Sequence, residues 1–172
     1  MGLIDLVVAR GLEATGLEGQ VEMLVQAPPQ RVYALLSDVT RMGQWSPECY
    51  RCHWLGEATA PAVGARFKGY NRRGWFRWSA LCTVTEAEPG RAFAFETKFA
   101  GKVQSRWRYQ LEPAEGGTLL KESFQGLWVT YVITRLFFGG LQNRRAQMEE
   151  GVRHTLQRIK AVAEAEEGHG GA

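Results

Sequence analysis

The sequence lacks the long apolar segment that a membrane-spanning helix requires. A span needs about 18 or more apolar residues in succession, and the most apolar stretch, residues 127–138, is shorter and contains Arg135. The first residues, "MGLIDLVVARGLEATG", have no basic start before their short apolar run, which contains Asp5. A secretory signal would begin with such a basic segment. We therefore expect a cytoplasmic protein without stable insertion into a membrane.

The sequence also lacks a large excess of charge of either sign. It has 21 basic and 18 acidic residues, which gives a net charge of +3. Domains that bind nucleic acid usually carry a strongly basic face, so we expect no nucleic-acid partner. The 172 residues, 45% of them hydrophobic, are enough to bury the core of one domain. We predict an N-terminal extension over 1–17, one folded domain over 18–166 and a flexible tail over 167–172.

Cysteine is scarce, but two of the three cysteines lie in the run "CYRCH", from Cys49 to His53. This spacing is that of a covalently attached c-type haem. Haem attachment takes place outside the cytoplasm, and the run follows a proline and is rich in aromatic residues, which favours a strand. Residues three apart on a regular strand point to opposite faces. We therefore predict that Cys49 and Cys52 do not converge on a haem, a metal ion or a disulfide.

Periodic patterns, by contrast, run through most of the chain. Val21, Met23 and Val25 alternate with polar residues and predict a strand. A helix is predicted to begin at Pro28 and Pro29, and a second short helical turn to follow between Asp38 and Gln44, with Asp38 as its cap.

The rest of the chain divides into strands and one long helix. Residues 49–127 contain six alternating segments separated by glycine-rich turns, which is typical of an antiparallel meander. The last third has an apolar stripe at helical spacing, formed by Leu141, Met148, Val152, Leu156, Ile159 and Val162. A sheet with one apolar face needs a cover, and this helix is the only predicted element large enough. We therefore predict an α+β fold with a cavity between a curved sheet and the helix.

Three parts of the chain carry a resemblance to a known family. They are residues 32–96, from "VYALLSDVT" to "GRAFAFE", the block "GGTLLKESF" and the segment "RRAQMEEGVRHTLQRIKAVAE". Together they resemble the START-like, birch-pollen-allergen-like (SRPBCC) superfamily, in particular its polyketide cyclase/dehydrase and lipid-transport group, over about residues 18–165. The resemblance implies a helix-grip fold, in which a curved seven-stranded antiparallel sheet wraps around a long C-terminal helix. It also implies a pocket for a hydrophobic small molecule, with no metal and no other cofactor.

The inward-facing positions of the predicted strands and helix are unusually aromatic, and aromatic side chains commonly line small-molecule pockets. A plain aromatic core is the alternative for any one of them. Asn71 is in phase with Phe67 but also fits a turn in "YNRRG", which is the interpretation that we favour. The predicted ligand-binding residues are Trp45, Phe67, Asn71, Trp78, Phe93, Phe95, Phe99, Trp107, Tyr109, Phe124, Met148 and Val152.

Glu122 is the most unusual residue of the predicted core. Alternation places it on the inward face, between Leu120 and Phe124. A buried carboxyl group must be paired, hydrogen-bonded or have a raised pKa. Glu122 could therefore be a general acid/base or bind a ligand hydroxyl. Alternatively, a bulge turns it outward, or Arg144 or Arg145 neutralises it.

The apolar segment 127–138 admits three interpretations: a lid over the pocket, a contact with a second copy in a homodimer, or a contact with a membrane surface. We favour the first two, because no cluster of basic residues surrounds the segment.

Three functions are compatible with the sequence. The first is a carrier of a lipid-like or polyketide-like molecule. The second is an aromatase/cyclase or dehydratase that uses Glu122, although no catalytic pattern of the cyclases can be transferred residue by residue. The third is a protein-interaction module.

Overall fold

The computed structural model describes residues 11–13, 17–99 and 101–165, without the side chains of 11–13 and 128–133. The predicted N-terminal extension therefore lies mostly outside the described residues, and the predicted tail lies wholly outside them. The domain boundaries stay predictions. Among the described helices, none combines the length and the apolar character needed to cross a membrane.

The strands, in chain order, are β1 (Gly11–Glu13), β2 (Glu18–Val25), β3 (Cys49–Leu55), β4 (Arg66–Arg73), β5 (Phe76–Glu88), β6 (Ala92–Phe99), β7 (Lys102–Ala114), β8 (Gly117–Gly126) and β9 (Trp128–Thr130). Seven of them form an antiparallel sheet in the order β2-β8-β7-β6-β5-β4-β3, and β1 pairs with β9. The helices are α1 (Pro29–Ser37), α2 (Met42–Trp45), α3 (Tyr131–Phe138) and α4 (Leu141–Ala165), with a 3-10 turn at Val39–Arg41.

This architecture confirms the predicted fold, a seven-stranded antiparallel sheet with a long C-terminal helix and short helices after the first strand of the sheet. Pro29 begins α1, where its missing N–H costs no helical hydrogen bond. The Asp38 Oδ1 atom accepts a hydrogen bond from the Thr40 N–H at 3.1 Å, as a cap does. Gly139 and Gly140, with φ of 73° and 100°, separate α3 from α4.

The long helix α4 determines where the space inside the sheet remains. It packs mainly against β2 and also contacts α1, α2 and α3. Its buried side chains include Met148, Val152, Leu156 and Ile159, which belong to the predicted stripe. Because α4 packs at the β2 edge of the sheet, the inner faces of β3 to β8 and one side of α4 enclose a cavity.

A β-bulge in β3 overturns the prediction for the two cysteines. Cys49 pairs with Asn71 and Arg51 pairs with Tyr70, so Tyr50 is the extra residue. The extra residue shifts the alternation, and the side chains of Cys49 and Cys52 are both buried. Their Sγ atoms lie 3.4 Å apart. The prediction that they point to opposite faces was wrong, because it assumed a regular strand.

Replacing Leu156 by Ala tests the packing of α4 on the sheet. Leu156 is fully buried within the hydrophobic core, so the truncation should lower the free energy of unfolding by about 2–5 kcal/mol, measured by urea denaturation. The matched control is Gln157→Ala at the exposed neighbouring position, which should change stability by less than about 0.5 kcal/mol. Equal effects of the two substitutions would contradict this packing.

Candidate ligand-binding cavity

A cavity of about 280 Å³ lies between the inner face of the sheet and the helices α2, α3 and α4. Of the predicted ligand-binding residues, those that line it are Phe67, Asn71, Trp78, Phe95, Phe99, Trp107, Tyr109, Met148 and Val152. Trp45, Phe93 and Phe124 are buried in the core instead and are not among the lining residues. Asn71 belongs to β4 and not to a turn, so the favoured interpretation of this residue was wrong.

Several lining residues were not predicted from the sequence, among them Cys49, Cys52, Phe76, Cys82, Ser105, Thr134, Phe138, Arg144 and Gln147. Cys82 and Phe76 share the inward face of β5 with Trp78, so alternation alone could have identified them. Thr134 and Phe138 belong to α3, for which the sequence left three interpretations open. The two cysteines of β3 depend on the bulge, for which the sequence offers no clear signal.

Aromatic rings on different strands of the cavity wall contact one another. The ring centroids of Phe67 and Phe95 are 5.2 Å apart in an edge-on arrangement, and Phe95 stacks on Trp107 at 6.4 Å. The Trp107 Nε1–H donates to Ser105 Oγ at 2.9 Å. Because ring contacts and this hydrogen bond fix the rings, the wall is a defined apolar surface.

Glu122 lies on the inward face of β8, as alternation predicts, and only 3% of it is exposed. Its Oε2 atom has no hydrogen-bond partner among the described residues. Burial raises the pKa of its carboxyl group to about 8, and a hydrogen bond with Tyr109 offsets part of that rise. At neutral pH the carboxyl group is therefore mostly protonated and can donate a hydrogen bond into the cavity.

Tyr109 stands directly opposite Glu122 on β7. Its pKa is raised well above the usual value, first by burial and then by the charge of Glu122. The phenol therefore keeps its proton at neutral pH, and the two side chains form a neutral polar pair within the apolar wall.

The two arginines considered as partners of Glu122 bind other residues. Arg144 donates to both carboxylate oxygens of Glu48, at 2.6 and 2.9 Å. Arg145 Nε donates to Glu149 Oε1 at 3.1 Å. The interpretation in which one of these arginines neutralises Glu122 was therefore wrong, as was an outward turn at a bulge.

Helix α3 closes one side of the cavity. Thr134 and Phe138 line it, and Phe137 stacks on Phe76 with ring centroids 4.1 Å apart. The Arg144 guanidinium lies 4.4 Å from the Phe138 ring centroid while it binds Glu48. These contacts favour the lid among the three interpretations of the segment 127–138. Homodimer formation stays a prediction.

The sequence and the fold are both similar to those of known proteins. Residues 17–164 match the family described as polyketide cyclase/dehydrase and lipid transport. A polyketide-cyclase-like protein from Corynebacterium glutamicum, solved by NMR, has 35% sequence identity and a TM-score of 0.59, with 90% of this chain and 96% of that chain covered. No curated protein matches the sequence.

Two further solved structures share the fold at low identity. A protein from Thermus thermophilus is 16% identical, with a TM-score of 0.67 over 86% of this chain and 97% of that one. The di-domain ARO/CYC protein StfQ of the steffimycin biosynthetic pathway is 14% identical, with a TM-score of 0.71. The match covers 88% of this chain and 52% of that chain. The match to the family covers most of the chain, and the chain belongs to the polyketide cyclase/dehydrase and lipid-transport family.

Proposed function

We propose that the protein binds and carries a small hydrophobic or aromatic molecule that bears an oxygen function. The observation that supports this most is the cavity itself, with aromatic walls and one buried acid, Glu122, whose Oε2 atom has no partner among the described residues. Small-molecule sites are typically apolar pockets with a few placed polar groups. The volume of about 280 Å³ favours a ligand with a few rings or a short chain.

Two polar atoms in the cavity favour a ligand with both a hydrogen-bond acceptor and a donor. The protonated Glu122 can donate to a ligand carbonyl. The Gln147 Oε1 atom is buried without a partner among the described residues, while its Nε2 donates to the Phe138 carbonyl oxygen at 3.3 Å. Leaving such groups unpaired costs about 1–3 kcal/mol each. A neutral molecule with a carbonyl and a hydroxyl group would satisfy both.

The raised pKa of Glu122 favours a second candidate function, a cyclase or dehydratase. A group with a pKa of about 8 can both donate and accept a proton near neutral pH. The cavity would hold a flexible polyketone in one conformation, which brings its reacting atoms together. Both functions require binding in the same cavity, so binding is the primary proposal.

A pair of matched substitutions tests the location of the binding site. Trp78 lines the cavity, whereas Trp75, three residues earlier, is 82% exposed. Trp78→Asp places a charge in the apolar wall, so we expect it to weaken binding of 2-acetylnaphthalene, a neutral aromatic ketone, at least about tenfold in isothermal titration calorimetry. Trp75→Asp should bind like the parent. Equal affinities of two folded variants would place the site elsewhere.

Glu122→Gln separates the two candidate functions. The amide has nearly the shape of the acid and can still donate to a carbonyl, but it does not transfer a proton. A carrier should keep most of its affinity for the ketone. If the protein converts a polyketone, measured by product chromatography, the substitution should abolish turnover while binding persists. Undiminished turnover would exclude Glu122 as the acid.

The pH dependence of stability tests the buried acid. The pKa of Glu122 rises from 4.5 in an exposed chain to about 8 in the fold, so the folded protein binds the proton more tightly. Its contribution to stability is complete below about pH 4.5 and is lost as the pH rises to about 8. Glu122→Gln should therefore become more stable relative to the parent between pH 5 and 8.5, by at most about 5 kcal/mol in urea denaturation.

Glu57→Gln, in the exposed turn after β3, is the control for this comparison. Its difference from the parent should stay constant over the same pH range. A constant difference for Glu122→Gln as well would mean that Glu122 keeps an ordinary pKa in the fold.

A further inference from the structure

The bulge in β3 brings two thiols into contact inside the cavity wall. The Sγ atoms of Cys49 and Cys52 lie 3.4 Å apart. Both residues line the cavity, and only 6% and 5% of them are exposed. Gly69, the partner of Cys52 on β4, lies beside both thiols, since a Cβ atom there would be in ordinary van der Waals contact with the two sulfurs, at 3.4 and 3.6 Å.

We propose that Cys49 and Cys52 are a redox-active dithiol, which a hydroperoxide entering the cavity oxidises to a disulfide within the chain. Nothing in the proposed binding function requires this chemistry. The two sulfurs are already in van der Waals contact, so only a small movement is needed to form the bond. A disulfide bond is about 2.05 Å long, so the sulfurs would move closer by roughly 1.4 Å.

The surroundings of the two thiols differ, and the difference indicates which thiol attacks the peroxide and which one completes the disulfide. The pKa of Cys49 is lowered, chiefly because the Cys52 thiol hydrogen-bonds to its sulfur. The pKa of Cys52 is raised, first by the same hydrogen bond and then by burial. The thiolate is the attacking form of cysteine. Cys49 is therefore the thiol that attacks the peroxide, and Cys52 is the thiol that resolves the product.

The reaction proceeds in two balanced steps. The Cys49 sulfur attacks one peroxide oxygen, the O–O bond breaks, and Cys49 becomes a sulfenic acid while the other oxygen leaves as water or an alcohol with the thiol proton. The Cys52 sulfur then attacks the Cys49 sulfur and displaces hydroxide, which takes the Cys52 proton and leaves as water. The two thiols lose two electrons in total, and the peroxide gains them.

The third cysteine provides an internal control. Cys82 on β5 also lines the cavity, but its Sγ atom contacts the Ala80 carbonyl oxygen, at 3.8 Å, and burial raises its pKa. We assign it no part in the disulfide. Trypsin cleavage after arginine places the three cysteines on separate peptides, residues 42–51, 52–66 and 78–91.

Peptide mapping after oxidation tests the proposal. The folded, reduced protein is treated with hydrogen peroxide, its remaining thiols are blocked with N-ethylmaleimide in denaturant, and tryptic peptides are analysed by mass spectrometry. We expect the intact mass, measured before labelling, to fall by two hydrogen atoms. Peptides 42–51 and 52–66 should be linked, and 78–91 should carry the label. Dithiothreitol should restore the parent mass. Labelling of all three peptides, a link to 78–91 or a link between two chains would overturn the proposal.

Single substitutions test the roles of the two thiols. Cys52→Ser should stop the reaction at a sulfenic acid on Cys49, which dimedone traps on peptide 42–51. Cys49→Ser should yield neither a disulfide nor a dimedone adduct on 52–66. Cys82→Ser should react like the parent. A dimedone adduct on 52–66 in the Cys49→Ser variant would reverse the assigned roles, and the mapping of the parent protein decides the proposal independently of how the variants fold.

Discussion

The packing of α4 on one edge of the curved sheet is the constraint on which the site depends. The helix packs mainly against β2, where its buried stripe completes the core. The inner faces of β4 to β7 extend beyond the part of the sheet that α4 covers, so their aromatic side chains face a space that α2, α3 and one side of α4 close. A single cylinder cannot fill the concave side of a bent sheet. The cavity is therefore a consequence of the fold, and the side chains around it decide its chemistry.

Two ionisable groups of the cavity wall avoid the cost of a buried, unpaired charge in different ways. Arg144 donates to both carboxylate oxygens of Glu48, so its buried charge is paired with one of opposite sign. Glu122 has no such partner among the described residues, and it remains protonated because its pKa is raised. Such an acid in an apolar wall lowers stability as the pH rises toward its raised pKa. A ligand that accepts a hydrogen bond from the protonated acid would offset that cost.

Much of this arrangement could be predicted from residue patterns, because a strand with one buried face alternates strictly. Alternation placed Glu122, Trp78 and Trp107 on the inward face. It does not show whether an inward side chain meets the helix or the cavity, which is why Phe93 and Phe124 were assigned to the ligand. That distinction depends on where the helices lie across the sheet, a long-range property. The bulge at Tyr50 was also missed, since one extra residue reverses alternation locally.

Native mass spectrometry of the protein purified from a bacterial host tests whether the cavity carries a small hydrophobic molecule. The spectrum is recorded before and after denaturation, and again after addition of 2-acetylnaphthalene to the folded protein. We expect an adduct in the folded state, either carried from the host or supplied by the ketone, that disappears on denaturation. The mass of the bare polypeptide in every folded sample, ketone included, would contradict it.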